Sequence, residues 1–168
     1  LADKLAKQGA MGLKTAAPTL YRIAQALEYV HKRGIVHRDV KTANVLFDER
    51  GRAHLADFGI ARLTGNATRI TATNMTIGTA SYMSPEQIVA DKNVDHRTDI
   101  YSLGIIFYEM LTGRLPYEAD TPAQTMMMHI LQPVPSLLTV RPDFSYGCEE
   151  VLQGALAKDK FDRYNSAM

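Results

Sequence analysis

The chain has 168 residues, 46% of them apolar and 22% charged, enough for one domain with a real core. Its 19 Lys plus Arg against 18 Asp plus Glu leave it near neutral, which argues against nucleic acid or a membrane surface as the main partner. One cysteine, Cys148, excludes an internal disulfide and a cysteine-rich metal site, and fits a reducing compartment.

The first ten residues, LADKLAKQGA, are amphipathic and hold Asp3, so they do not read as a secretory signal. Residues 19–33 place Leu20, Ile23, Ala24, Leu27 and Val30 on one helical face. Thr15 is the expected N-cap, Pro18 then falls in the first turn, and Gly34 is the expected stop. Two short apolar runs follow, Val45 to Phe47 and around Leu55. The turn-rich DERG at 48–51 separates them, which predicts a small hairpin. Residues 62–81 are rich in Thr, Gly and Asn without apolar periodicity, and read as a loop long enough to be functional. From Asp99 to Leu111 nearly every face is apolar, as in a helix at the centre of a core, and Gly113 ends it. Its surrounding stretch, 101–113, is too short to cross a membrane and carries Glu109. Helical stretches near 121–131 and 147–158 alternate with connections at Pro133, Pro135 and Pro142. The methionine run Met126 to Met128 and Leu46 read as core.

Singly, the polar residues of the loops have bland readings. Asp39, Asn44 and Asp57 could be turn or cap residues, His37 a packed core residue and Asp99 a helix N-cap. Arg163 and Glu86 could be unrelated surface charges. Their order along the chain says more. HRDVKTAN at 37–44 resembles the catalytic loop of protein kinases, DFG at 57–59 their magnesium motif, and GTASYMSPE at 78–86 their substrate loop and its closing A-P-E, with Ser84 in place of alanine. DIYSLG at 99–104 resembles the start of their central helix, and Arg163 stands where the family pairs an arginine with the glutamate here numbered 86. The resemblance runs from near residue 1 to 168 and is closest to the bacterial receptor-like serine/threonine kinases.

That resemblance implies a mainly α fold, the large C-terminal lobe of a kinase domain, with helices around a buried central helix and one small β-hairpin. It implies ATP and Mg²⁺ (or Mn²⁺) as cofactors and Ser/Thr hydroxyls of proteins as substrates. In it Asp39 orients the hydroxyl and takes its proton, Lys41 reaches the transferring phosphate, and Asn44 and Asp57 hold the metal. Leu46 becomes the floor of the adenine pocket. Arg38 receives a phosphate from the loop that follows, with Thr71 and Thr73 the favoured acceptors. Thr79 bonds the catalytic Asp and Lys, His37 packs near Phe58, and Asp99 holds the catalytic-loop backbone. Lys41 favours Ser/Thr over Tyr as substrate.

No G-x-G-x-x-G and no V-A-I-K-like strand occurs in the sequence. Residues 1–168 are therefore expected to be an incomplete kinase domain, the C-terminal lobe without the small lobe, and weak or inactive alone. Exposed cleft residues, including Leu46 and Phe58, would then favour self-association. A cytoplasmic location is expected, which a membrane-anchored parent would also satisfy. The alternative is a kinase-like lobe that docks peptides or partners without chemistry. The intact set Asp39, Lys41, Asn44 and Asp57 favours the enzyme.

Overall fold

The computed structural model describes residues 1–57 and 77–168. Phe58, Gly59, Thr71 and Thr73 lie outside the described residues, as does most of the threonine-rich segment. In chain order the elements are α1 (Ala2–Gln8), α2 (Leu13–His31), a 3-10 turn (Thr42–Asn44), β1 (Val45–Phe47), β2 (Ala53–Leu55), α3 (Ile77–Ala80), α4 (Pro85–Ile88) and α5 (Arg97–Thr112). Then come α6 (Pro122–Leu131), α7 (Leu137–Val140), α8 (Tyr146–Ala155) and a second 3-10 turn (Lys160–Asp162). The fold is mostly helical, with one two-stranded antiparallel sheet pairing Val45 with Leu55 and Phe47 with Ala53.

Helix α5 is the centre. Ile105, Ile106, Met110 and Leu111 are fully buried along it, and it packs against α2 and α8. A Cβ at Gly104 would stand 3.0 Å from both the Ala155 Cβ and the Leu156 Cδ2, so any side chain here would push α8 back by a few tenths of an ångström. Gly113 ends the helix at φ 74, donating its N–H to the Glu109 carbonyl at 2.8 Å. No described helix is long and apolar enough to cross a membrane.

The expected boundaries shift in three places. Helix α2 starts at Leu13 with Gly12 as its cap, so Pro18 lies inside it rather than in the first turn. The bond that Pro18 cannot make would have gone to the Lys14 carbonyl, on a solvent-facing stretch where water can serve. Within the expected 62–81 loop, residues 77–80 are helical. In α6 the methionines are not core: Met127 is 52% exposed, and the buried face is Thr125 and His129.

Two polar side chains face inward on α6 because the core beneath them is itself polar. His129 Nδ1 meets the Tyr101 hydroxyl at 2.8 Å, the Tyr117 ring packs edge-on, and Lys158 Nζ donates to the His129 carbonyl at 2.7 Å. Burial first, and the Lys158 charge second, hold the His129 pKa down to about 3. An unfolded histidine titrates near 6.5, so between these values the unfolded chain binds the extra proton. The stability this group contributes is present above about pH 6.5 and is lost as pH falls toward 3. A drop from pH 7 to 5 should remove about 2 kcal/mol in urea titrations. His129→Gln should flatten that slope. An equal slope in the variant would show that His129 is not the group responsible.

Candidate active site

The 37–44 segment follows α2 after a short connection, is tied to the first turn of α5 and leads into the hairpin. Its backbone is unusual. Arg38 sits at φ 64, a left-handed conformation that strains a non-glycine residue by about 1–2 kcal/mol. Asp99, fully buried in the first turn of α5, fixes this bend. Its Oδ2 accepts the His37 N–H at 2.8 Å and meets His31 Nε2 at 2.7 Å, while Oδ1 accepts the Arg38 N–H at 2.8 Å. The cap position of α5 belongs to His96, so Asp99 is not an N-cap. His37 is also fully buried, its Nε2 3.1 Å from the Ala56 carbonyl. Asp99→Asn keeps the shape but turns one acceptor into a donor facing a buried N–H. We expect it to lower unfolding stability by about 2 kcal/mol, read from urea midpoints. A loss under about 0.5 kcal/mol would show that water replaces the carboxylate.

With the bend fixed, two side chains meet at the Asp39 carboxylate. Lys41 Nζ lies 2.9 Å from Asp39 Oδ2 and 3.1 Å from Oδ1. Asn44 Nδ2 donates to the Asp39 carbonyl at 2.8 Å and to Oδ2 at 3.2 Å. Asn44 therefore uses its amide nitrogen to hold Asp39. Among the described residues its Oδ1 accepts no hydrogen bond. The Ala56 N–H donates to the Asn44 carbonyl at 2.8 Å, tying the 3-10 turn to the stretch that carries Asp57. Asp57 follows at φ 56 with its side chain exposed. An amide oxygen and a carboxylate are hard donors suited to Mg²⁺, an ion that keeps several waters, so this pair fits that metal.

Around this centre, Thr79 lines the same crevice as Arg38 and Asp39. The Arg38 guanidinium is exposed and makes no ion pair among the described residues. Leu46, read as core, is instead 56% exposed on β1 beside the loop, because its neighbours Val45 and Phe47 point to the other face of the strand. Glu86 and Arg163, 77 residues apart, form a buried two-pronged ion pair at 2.7 and 2.8 Å.

Two features here escaped the sequence reading. Tyr82 donates to Glu109 at 2.5 Å and shares a 2.7 Å bond with Thr42, joining the 37–44 segment to α5. Burial pushes the Glu109 carboxyl up; burial, then the Glu109 charge, pushes the Tyr82 phenol up. Gln87, only 8% exposed, reaches the Arg38 carbonyl at 2.9 Å. The pattern Ser84-x-x-Gln87 before a short helix signals a capping box, which was the available clue to its orientation.

The helical core, the hairpin and this carboxylate-centred loop define the large lobe of a protein kinase. A sequence model of the protein kinase domain matches residues 1–168, and the chain belongs to that family. It is 38% identical, over 99% of its length, to a probable serine/threonine-protein kinase of Clostridium perfringens. It is 39% identical, again over 99%, to the serine/threonine-protein kinase PknB of Mycobacterium leprae. A probable serine/threonine-protein kinase of Streptomyces coelicolor is 42% identical over 86% of the chain. The chain spans only 24%, 27% and 22% of these three relatives.

Proposed function

We propose that this chain is the catalytic lobe of a cytoplasmic serine/threonine protein kinase, moving the γ-phosphate of ATP to protein hydroxyls once a small lobe completes the cleft. The observation that carries this reading is the meeting of Lys41 and Asn44 on the Asp39 carboxylate. That arrangement holds one carboxylate acceptor beside a cation, the pairing that transfer to a hydroxyl needs, and so supports the reading. ATP with its metal supplies the transferable phosphoryl group. Asp39 orients the attacking hydroxyl and accepts its proton. Lys41 offers positive charge where the phosphate oxygens gather it, and Asn44 with Asp57 would hold the metal. Thr79 supports the Asp39 and Lys41 side chains. In this reading the exposed Arg38 receives a phosphate carried by Thr71 or Thr73. Leu46 offers an apolar face to the adenine.

The similarity to bacterial kinases named for serine/threonine activity, together with Lys41, supports the substrate class. The test is transfer of label from γ-labelled Mg-ATP to a basic protein substrate, with phosphoamino-acid analysis. We expect phosphoserine and phosphothreonine from the domain with both lobes and little or none from residues 1–168 alone. Phosphotyrosine as the main product would overturn the substrate assignment. Label with the isolated chain that depends on Asp39 would overturn the need for a second lobe. Silence from both, with peptide binding retained, would turn the reading toward a docking module.

A further inference from the structure

We propose that Gln87 is a positioning residue for the catalytic loop, holding the left-handed backbone of Arg38 by its carbonyl where Asp99 holds it by its amide. This rests on the kinase reading of Asp39, the next residue along.

The Gln87 amide is oriented from behind. Its Oε1 accepts the Ser84 N–H at 3.1 Å and the Ser84 Oγ–H at 3.4 Å, which turns Nε2 toward the Arg38 carbonyl at 2.9 Å. The opposite rotamer would set a donor against a donor and an acceptor against an acceptor, so the network fixes the assignment. Ser84 Oγ also meets Thr98 Oγ1 at 2.6 Å, and Thr98 precedes Asp99 in the first turn of α5. The bonds close a ring: Arg38, Asp99, Thr98, Ser84, Gln87 and back to Arg38. Both peptide units flanking a strained φ of 64 are thereby pinned to one rigid helix end. Freeing the carbonyl end lets the 38–39 peptide rotate, and the Asp39 carboxylate moves with it. The ring also joins the turn that closes the substrate loop to the placement of Asp39.

The rival account is that Gln87 only completes the cap of α4. Gln87→Glu separates the two. A carboxylate keeps the acceptor that serves Ser84 and suits a helix N-terminus, but presents a second acceptor to the Arg38 carbonyl. In the domain with both lobes we expect kcat about 10- to 100-fold lower with KM for ATP within about twofold. As pH falls, the introduced carboxyl takes up a proton and regains an O–H for that carbonyl, so the ratio of variant to unsubstituted kcat should rise. Hydrogen exchange at the Arg38 amide should accelerate about tenfold or more while α5 core amides hold steady. Gln87→Met, which keeps the volume and removes both functions, takes the same readouts if Gln87→Glu does not fold. An unchanged kcat with unchanged Arg38 exchange would reduce Gln87 to a cap. If the unsubstituted domain shows no Asp39-dependent transfer, the kinase reading fails and the exchange data alone decide the clamp. Fast exchange of the Gln87 side-chain amide in the unsubstituted protein would overturn the proposal whatever the variants do.

Discussion

Asp39→Asn in the domain with both lobes should lower kcat for phosphorylation of a Ser/Thr peptide by about a thousandfold, close to 4 kcal/mol of barrier. Asparagine matches the carboxylate in size, so the loop retains its bend, which depends on Asp99 and not on the Asp39 side chain. What is lost is the acceptor. The amide cannot take the hydroxyl proton, and its nitrogen faces the Lys41 ammonium that Oδ2 now holds at 2.9 Å. Nucleotide contacts lie with other residues in this reading, so KM for ATP should stay within a few-fold and the loss should appear in kcat. The melting temperature should move by only a few degrees, because the Asp39–Lys41 pair is partly solvated. A variant within tenfold of the unsubstituted kcat would show that Asp39 is not the proton acceptor, and would make the Lys41 contact merely structural.

The site was legible unevenly, and distance along the chain explains why. Asp39, Lys41 and Asn44 fall within six residues, so a single turn of loop brings them together and their spacing can be read directly. Asp99 lies about sixty residues from its partners His37 and Arg38, and nothing in periodicity or composition predicts such a contact. Only the family resemblance suggested it. Gln87 went unread: Ser84-x-x-Gln87 could have signalled a capping box, but a side-chain amide has two ends and the sequence shows only the local one. The fold was clearer where one rule dominated. Continuous apolarity marked α5 as central, and the DERG turn marked the hairpin. It was less clear where two rules competed. Thr15 is the better cap by residue type, yet the helix begins at Leu13, one turn earlier, with Gly12 extended at its cap and Met11 buried just before it. On α6 the buried positions are a threonine and a histidine, because Tyr101, Tyr117 and Lys158 supply a polar pocket that α6 alone could not announce.

Arg163→Ala should lower stability by about 3–5 kcal/mol, the range for stranding one partner of a buried ion pair. For a domain of this size that corresponds to a fall of roughly 6–20 °C in melting temperature. All five guanidinium N–H groups are in use. Nη1 and Nη2 grip Glu86 at 2.7 and 2.8 Å, Nε donates to the Ala157 carbonyl at 2.7 Å, and the remaining donors reach the Arg97 and Lys158 carbonyls at 3.2 and 3.1 Å. Lysine cannot reproduce that fork, so Arg163→Lys should recover little of the loss. A double-mutant cycle with Glu86→Gln should show a coupling of about 2–3 kcal/mol, since removing the second charge relieves what the first removal stranded. The pair also bears on the site. Glu86 directly precedes Gln87 in α4, and α4 carries the amide that meets the Arg38 carbonyl. Loosening Glu86 should therefore raise hydrogen exchange at Arg38 before the lobe unfolds globally. A melting temperature within about 2 °C of the unsubstituted protein would mean that water enters and solvates Glu86, and that α4 is held by its Ser84 cap and not by this pair.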